Sequence, residues 1–90
     1  MTAKIEIYTW SNCPFCIRAK QLLRKKKVKF TEYGIDGDEM VRAIMAERAN
    51  GRRSVPQIFI NDVHIGGCDD IHNLEDQGQL DKLLFAHSGV

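Results

Sequence analysis

Two cysteines stand three positions apart in the segment Cys13-Pro14-Phe15-Cys16. An apolar run that ends at Trp10 precedes this segment, and a helical pattern of apolar residues starts within it. A Cys-x-x-Cys sequence between a strand and a helix is typical of a thiol–disulfide redox centre. The reactive species in exchange is the thiolate, whereas free cysteine, with a pKa of about 8.5, is mostly protonated at neutral pH. A helix start favours the thiolate, because its unpaired N–H groups and positive dipole end attract an anion.

The spacing of this segment predicts a role for each cysteine. Cys13 lies just before the predicted helix, where its sulfur can be held as a thiolate. Cys16 lies one turn further along the same helix face, within reach of a disulfide with Cys13. Pro14 suits the first turn of a helix because it has no N–H to leave unpaired. We therefore predict that Cys13 is the attacking nucleophile and Cys16 the resolving thiol.

A structural role or a zinc site is the alternative interpretation of the two cysteines. Cys-x2-Cys begins many zinc sites, and His64 and Cys68 have a spacing that could complete one. Structural zinc usually replaces a hydrophobic core, whereas this chain has enough apolar residues to form a core. We therefore favour redox chemistry and expect no bound metal. His64, His72 and His87 are expected to be surface or packing residues.

The composition bounds the class of protein. With 90 residues, 43% of them hydrophobic and 28% charged, the chain should form one domain over residues 1–90. A net charge of +1 gives no general attraction to nucleic acid or acidic membranes, and no apolar run approaches the roughly 18 residues of a membrane span. The N-terminus lacks the features of a signal peptide. Three cysteines make a poor disulfide scaffold for a secreted protein, so we expect a cytoplasmic protein. We also expect a monomer.

Hydrophobic periodicity predicts the element order β-α-β-α-β-β-α-α. The predicted strands cover residues 4–10, 28–35, 54–60 and 63–65, and the first two helices cover residues 14–27 and 39–49. Two short helices follow, the first capped by Asp69 or Asp70, and residues 88–90 should be frayed. Strands that bracket a helix should be parallel, and Asn61-Asp62 predicts a tight hairpin turn. The predicted apolar stripes of the first two helices are Phe15, Cys16, Ala19, Leu22 and Leu23, and Met40, Val41, Ile44 and Met45.

Three separated motifs resemble those of a dithiol glutaredoxin, a member of the thioredoxin-fold superfamily. They are Cys13-Pro14-Phe15-Cys16, Ser54-Val55-Pro56 and Gly66-Gly67-Cys68-Asp69-Asp70. Their order and spacing also agree, and the resemblance covers nearly the whole chain. It implies an α/β thioredoxin fold, with a four-stranded mixed sheet and helices on both faces. It also implies a glutathione-dependent oxidoreductase that reduces protein–glutathione mixed disulfides and protein disulfides.

The resemblance implies a glutathione site as well. Pro56 is similar to the family's cis-proline, and the Val55 backbone would pair with the cysteinyl unit of glutathione as an added strand does. The N–H groups of Asp69 and Asp70 would hold the γ-glutamyl carboxylate, and the Asp70 side chain its ammonium group. The implied contacts are Pro14, Phe15, Arg42, Val55, Pro56, Gly67, Cys68, Asp69 and Asp70. Glutathione is then a co-substrate that glutathione reductase regenerates, and the clients are glutathionylated or disulfide-containing proteins such as reductases.

The sequence departs from the family pattern at Trp10, where a lysine is usual. Trp10 is either a core residue at the end of the first strand or an aromatic wall of the glutathione groove. Arg42 matches the position of a basic or polar glutathione contact, and Arg48 is a weaker candidate. The basic run of residues 24–27 is interpreted as a solvated helix end.

Two further questions are left open by the sequence. Cys68 is either a small buried apolar residue or a third thiol that can be glutathionylated or exchange with Cys13. The chain could also carry an iron–sulfur cluster, since some members of the family bind one between the nucleophilic cysteine and glutathione. The strongest signature of such carriers, Cys-Gly-Phe-Ser, is absent, and Pro14 stiffens the site, so we favour exchange. The sequence does not identify the client, which could be a ribonucleotide or arsenate reductase.

Overall fold

Secondary structure follows the predicted order in the computed structural model, which describes residues 3–85. The strands are β1 (Ile5–Thr9), β2 (Thr31–Gly34), β3 (Gln57–Ile60) and β4 (Val63–Gly66). The helices are α1 (Pro14–Lys25), α2 (Glu39–Arg48), α3 (Cys68–Asp76) and α4 (Leu80–Leu84). Among residues 3–85, no helix has both the length and the apolar character needed to cross a membrane. The predicted fraying of residues 88–90 and the role of His87 lie outside the described residues.

The sheet is mixed and has the strand order β2-β1-β3-β4. β1 and β2 pair in parallel around α1, as expected for strands that bracket a helix, and the other two pairings are antiparallel. The β3–β4 hairpin turns at Asn61 and Asp62, whose positive φ angles of 51° and 66° suit a tight hairpin turn. The predicted topology is therefore confirmed. Cys13 lies in the loop that follows the carboxyl end of β1.

Helices cover both faces of the sheet. On one face, Ile5 and Ile7 of β1 pack with Leu23 of α1, Ile71 of α3 and Leu84 of α4. The opposite face packs against α2 through a second cluster, which contains Tyr8, Ile35, Met45, Ala49 and Phe59. All five residues of β1 are buried, as predicted for a strand covered on both faces. β1 is thus a rigid base for the loop that follows it.

The predicted apolar stripes of the helices were partly wrong. Phe15 is 53% exposed, and on α2 Met40 and Ile44 are 79% and 51% exposed. Of the predicted residues Met45 is buried and Val41 is half-buried against the second cluster, and the small side chains of Ala46 and Ala49, which were not predicted, are buried as well. A pattern read from large apolar residues therefore misplaces the buried face of this helix.

Several element boundaries also differ from the prediction, among them the starts of β2, β3 and α3, and β3 begins at Gln57 rather than at Ser54. β2 begins at Thr31 rather than Val28 and is largely exposed, because it lies at the sheet edge. α3 begins at Cys68, so its N-cap is Gly67 and not Asp69 or Asp70. The Asp70 carboxylate instead reaches back from the first turn and accepts a hydrogen bond from the Gly67 N–H, at 2.8 Å. The Asp70 carboxylate thus binds the backbone N–H of the N-cap residue, as the glutamate side chain does in a capping box.

A buried ion pair fixes α2 to the sheet. Glu6, in the middle of β1, accepts hydrogen bonds from Arg48 at 2.9 and 3.2 Å and from the Tyr33 hydroxyl at 2.9 Å. The Arg48 guanidinium also donates to the Tyr8 hydroxyl at 2.8 Å and lies 4.1 Å from the centre of the Phe59 ring. Arg48, the weaker candidate for a glutathione contact, therefore has a structural role.

Replacing Glu6 by glutamine should destabilise the protein in a pH-dependent manner. The hydrogen bonds from Arg48 hold the pKa of Glu6 below its usual value. A lowered folded-state pKa stabilises the fold above the usual carboxyl pKa, and this contribution disappears as the pH falls through the folded-state value. We expect Glu6→Gln to lower the free energy of unfolding by about 2 kcal/mol at pH 7.

Urea unfolding of wild type and Glu6→Gln at pH 7 and pH 3 would test this expectation. The difference between the two proteins should shrink at pH 3, and an equal difference at both pH values would contradict it. Glu47→Gln, an exposed carboxylate on the same helix, is the matched control and should change little at either pH.

Candidate active site

Cys13 and Cys16 form a disulfide at the start of α1, with their Cα atoms 5.2 Å apart. Cys13 is the N-cap residue and has extended backbone angles, while Cys16 lies within the first turn. The Cys16 N–H points at the Cys13 sulfur, 3.1 Å away, so the sulfur takes the place of the oxygen of an ordinary N-cap side chain. In the reduced protein the same N–H can stabilise a Cys13 thiolate.

The two sulfur-bearing residues differ in access. Cys13 is 9% exposed and Cys16 only 1%, and Pro14 and Phe15 between them are exposed. An incoming disulfide therefore meets Cys13 first. This order supports Cys13 as nucleophile and Cys16 as resolving thiol.

The segment Ser54-Val55-Pro56 faces the cysteine pair. Its Val55–Pro56 peptide bond is cis, as the family resemblance implies, and the Val55 carbonyl oxygen lies 3.9 Å from the Cys13 sulfur. Gln57, which is fully buried, donates from its side-chain amide to the Ser54 carbonyl and hydroxyl oxygens at 3.1 and 3.2 Å. Its amide oxygen lies 2.7 Å from Nε2 of His64 on β4. Two adjacent strands thus hold this loop against the disulfide.

The third motif joins β4 to α3, and its two glycines bring the backbone close to the Asp70 side chain and the Pro56 carbonyl group. Gly66 has a φ of +119°, and a Cβ atom there would overlap the Asp70 carboxylate. At Gly67 a Cβ atom would lie 3.3 Å from the Pro56 carbonyl oxygen. The first intrahelical bond of α3 is made by the Ile71 N–H, so the N–H groups of Cys68, Asp69 and Asp70 precede it. A helix start of this kind is suited to binding an anion.

A cavity of about 340 Å³ lies among the three motifs. Its lining residues are Phe15, Arg52, Ser54, Val55, Pro56, Gly67, Cys68, Asp69 and Asp70. Seven of the nine implied glutathione contacts are thereby brought together. The other two are Pro14, which lies exposed in the first turn of α1, and Arg42, which lies on α2 outside this lining.

Arg52 and Ser54 also line the cavity, although neither was predicted as a glutathione contact. Nη1 of Arg52 lies 3.4 Å from Oδ2 of Asp70, so a cation and a carboxylate stand together at this end of the cavity. Its position in the sequence could have indicated this contact, since Arg52 comes just before the Ser54-Val55-Pro56 motif. Arg52 is therefore a candidate contact for an anionic group of a ligand that lies along the Ser54-Val55-Pro56 segment.

Trp10 agrees with neither of its two interpretations. It is 39% exposed, so it is not a core residue, and it does not line the cavity. The Arg42 guanidinium lies 5.7 Å from the centre of its ring. Arg42 also donates from Nε and Nη2 to the Arg53 carbonyl oxygen, at 3.1 and 3.0 Å.

Cys68 is buried beside the cavity. It is 5% exposed, its sulfur lies 3.5 Å from Nδ1 of His72, and burial raises the pKa of its thiol. A raised thiol pKa lowers the thiolate fraction, which favours the interpretation as a small buried residue. Within residues 3–85, no three His, Cys, Asp or Glu side chains form a group that could hold a metal ion. The zinc interpretation therefore lacks a ligand set in that part of the chain.

Comparisons with known proteins agree with the motifs and the fold. The family model described as Glutaredoxin matches residues 5–65. A probable glutaredoxin of Synechocystis sp. is 66% identical over 86 residues, which cover 96% of this chain and 98% of that protein. Glutaredoxin 3 of Escherichia coli K12 is 54% identical over 82 residues, covering 91% of this chain and 98% of that protein.

The likeness extends to solved structures. The crystal structure of a buckwheat glutaredoxin–glutathione complex superposes with a TM-score of 0.84 at 26% identity, covering 92% of this chain and 77% of that one. The predicted thioredoxin fold is thus confirmed. Sequence, cysteine pair and fold together show that the chain belongs to the glutaredoxin family, and its general role is that of a thiol–disulfide oxidoreductase.

Proposed function

We propose that this protein uses glutathione to reduce protein–glutathione mixed disulfides and protein disulfides through Cys13 and Cys16. The observation that carries the proposal is the cavity beside Cys13, which combines the Ser54-Val55-Pro56 segment with a helix start suited to an anion and with opposite charges. Its volume of about 340 Å³ is within the range of small-ligand sites, roughly 300–1,000 Å³. The glutathione complex of the buckwheat relative, which shares this fold, supports the same ligand.

Glutathione has groups that complement each wall of the cavity. Its cysteinyl backbone can pair with the Val55 backbone, which brings its sulfur to Cys13. Its γ-glutamyl end carries an ammonium group, which the Asp70 carboxylate can bind, and a carboxylate. That carboxylate can accept from the N–H groups at the start of α3, and Arg52 adds a cation beside it. The contacts implied for Pro14, Phe15, Gly67 and Cys68 remain part of the proposal, whereas Arg42 lies outside the cavity lining and donates to the Arg53 carbonyl oxygen instead.

The first half-reaction transfers glutathione to the enzyme. The Cys13 thiolate attacks the glutathione sulfur of the mixed disulfide, forming a Cys13–glutathione disulfide and releasing the protein thiolate. A second glutathione thiolate then attacks the bound glutathione sulfur, which gives oxidised glutathione and regenerates the Cys13 thiolate. The N–H groups at the α1 start stabilise Cys13 both as nucleophile and as leaving group.

Protein disulfides require both cysteines. Cys13 forms a mixed disulfide with the client, and Cys16, one turn away, attacks Cys13 and releases the reduced client. The Cys13–Cys16 disulfide that remains is the state seen in the structure. Two glutathione molecules then reduce it in successive exchanges, and glutathione reductase returns the oxidised glutathione to its thiol form. This cycle suits a reducing compartment such as the cytoplasm.

Replacing Asp70 by asparagine tests the glutathione site. Asparagine keeps an oxygen that can accept from the Gly67 N–H but lacks the charge for the γ-glutamyl ammonium. Because Asp70 is about half exposed, we expect a loss near 1 kcal/mol, a rise of about fivefold in KM for a small glutathione mixed disulfide. Reduction of the Cys13–Cys16 disulfide by dithiothreitol should be unchanged.

Steady-state rates with glutathione and glutathione reductase would measure the effect. Asp76→Asn, at the far end of α3 and exposed, is the matched control and should match wild type. An unchanged KM in Asp70→Asn would contradict the proposed contact. A wild-type protein that is inactive with glutathione yet active with dithiothreitol would overturn the proposed co-substrate.

A further inference from the structure

One arginine joins the two loops that flank the cysteine pair. The guanidinium of Arg42, near the start of α2, lies 5.7 Å from the centre of the Trp10 ring, and Trp10 stands three residues before Cys13. The same guanidinium donates two hydrogen bonds to the carbonyl oxygen of Arg53, which stands two residues before Val55. We call Trp10, Arg42 and the Arg53 carbonyl group the bridge.

The bridge belongs to a wider set of contacts that leads back to α2. Both carboxylate oxygens of Asp36, in the loop before α2, lie 3.0 Å from the Ser11 N–H, next to Trp10. The first residue of α2, Glu39, forms an ion pair with the Arg53 side chain. Both loops are thus attached to one end of one helix, and α2 itself is anchored to the sheet through Arg48 and Glu6.

Trp10 and Arg42 are physically matched. A lysine at position 10 would place a second cation near the guanidinium. An aromatic ring instead offers the negative face on which a guanidinium can stack. Two of the guanidinium nitrogens are occupied by the Arg53 carbonyl oxygen, so the side chain is held in place. A lysine in place of Arg42 has no planar fork and could not reproduce both interactions.

We propose that Arg42 is a positioning residue that sets the placement of the Val55 backbone relative to the Cys13 sulfur. The two atoms concerned, the Val55 carbonyl oxygen and the Cys13 sulfur, lie 3.9 Å apart across the gap between the loops. Exchange needs the attacked disulfide to line up with the Cys13 sulfur, and a misplacement of about 1 Å can cost on the order of 100-fold in rate. Arg42 acts through the loops, whether the incoming disulfide contains glutathione or not.

This role differs in a measurable way from direct binding of a glutathione carboxylate. A carboxylate contact depends on charge, so lysine would replace arginine with little loss and only glutathione reactions would suffer. The bridge depends on geometry, so Arg42→Lys and Arg42→Met should both slow exchange, and they should do so with every disulfide substrate. The inference rests on exchange at Cys13 and is independent of the proposed glutathione dependence.

The test compares Arg42→Lys, Arg42→Met and the matched control Arg24→Lys, whose guanidinium lies 5.8 Å from the Phe30 ring. We expect both Arg42 variants to reduce the Cys13–Cys16 disulfide with dithiothreitol about tenfold more slowly than wild type. With a glutathione mixed disulfide, kcat should fall by a similar factor while KM changes less than about twofold. Arg24→Lys should match wild type in all three quantities.

Trp10 supplies a direct readout, because it is the single tryptophan of the chain. Its emission should change in both Arg42 variants and not in Arg24→Lys. Trp10→Leu removes the aromatic face from the other side of the bridge and should slow the dithiothreitol reaction by about threefold. Near-wild-type rates in Arg42→Lys, with a raised KM for glutathione substrates alone in Arg42→Met, would overturn the inference. Unchanged dithiothreitol rates in Arg42→Lys or in Trp10→Leu would overturn it too.

Discussion

Cys13→Ser should abolish thiol–disulfide exchange, whereas Cys16→Ser should still reduce glutathione mixed disulfides at a rate within about threefold of wild type. The expected loss for Cys13→Ser is on the order of 1,000-fold or more, because a serine hydroxyl supplies neither a thiolate nor a sulfur for the mixed disulfide. Cys16 has no part in the exchange with a glutathione mixed disulfide, since a second glutathione completes that reaction. The 1% exposure of Cys16 agrees with a group that reacts only from within the protein.

The same pair of variants should separate the two kinds of substrate. With a client that contains a protein disulfide, Cys16→Ser should stall as a mixed disulfide between Cys13 and the client, because the resolving thiol is missing. Coupled assays with each substrate, and mass spectrometry of the stalled adduct, would measure both effects. A client adduct on the Cys13→Ser variant, or full activity of Cys16→Ser on the protein disulfide, would contradict the assigned roles.

The parts of the site that follow one another along the chain could be predicted from the sequence. The Cys-x-x-Cys segment, the hairpin turn and the order of strands and helices each depend on residues close in sequence. The resemblance then supplied the long-range relation among three motifs, and the structure brings seven of the implied contacts to one cavity. Short-range signals and motif spacing were sufficient because each motif sits at the end of a strand.

The contacts that escaped prediction join long side chains to distant groups. Arg48 pairs with Glu6 from 42 residues away, and Arg42 bonds to the Arg53 carbonyl group across a helix end and a loop. Nothing in the local sequence distinguishes these arginines from Arg52, which faces the cavity. Their roles depend on how α2 is rotated on the sheet, and that rotation buries Met45, Ala46 and Ala49 while it leaves Met40 and Ile44 exposed.

Gly66→Ala should damage both the stability and the glutathione site. The φ of +119° at Gly66 is rarely adopted by residues with a side chain, and a Cβ atom would overlap the Asp70 carboxylate. We expect the free energy of unfolding to fall by about 2–3 kcal/mol. Asp70 must also move, which breaks its bond to the Gly67 N–H and its pairing with Arg52. KM for a glutathione mixed disulfide should therefore rise more than in Asp70→Asn.

Urea unfolding and steady-state kinetics would measure these effects, with Gly34→Ala as the matched control. Gly34 ends the exposed strand β2, and a Cβ atom there would meet nothing within 4 Å, so its replacement should cost little. Equal stabilities of the two alanine variants would contradict the prediction.

A double-mutant cycle separates the two causes of the Gly66→Ala defect. Asp70→Ala removes the carboxylate that the new Cβ atom would overlap but leaves the backbone at residue 66 unchanged. If the clash contributes, the double variant should be less destabilised than the sum of the single variants, by roughly 1 kcal/mol. If backbone strain alone is responsible, the two effects should add. Because Asp70 binds Gly67 and Arg52 as well, a coupled result would mean that Gly66 is required in order to leave room for the charge that faces the cavity.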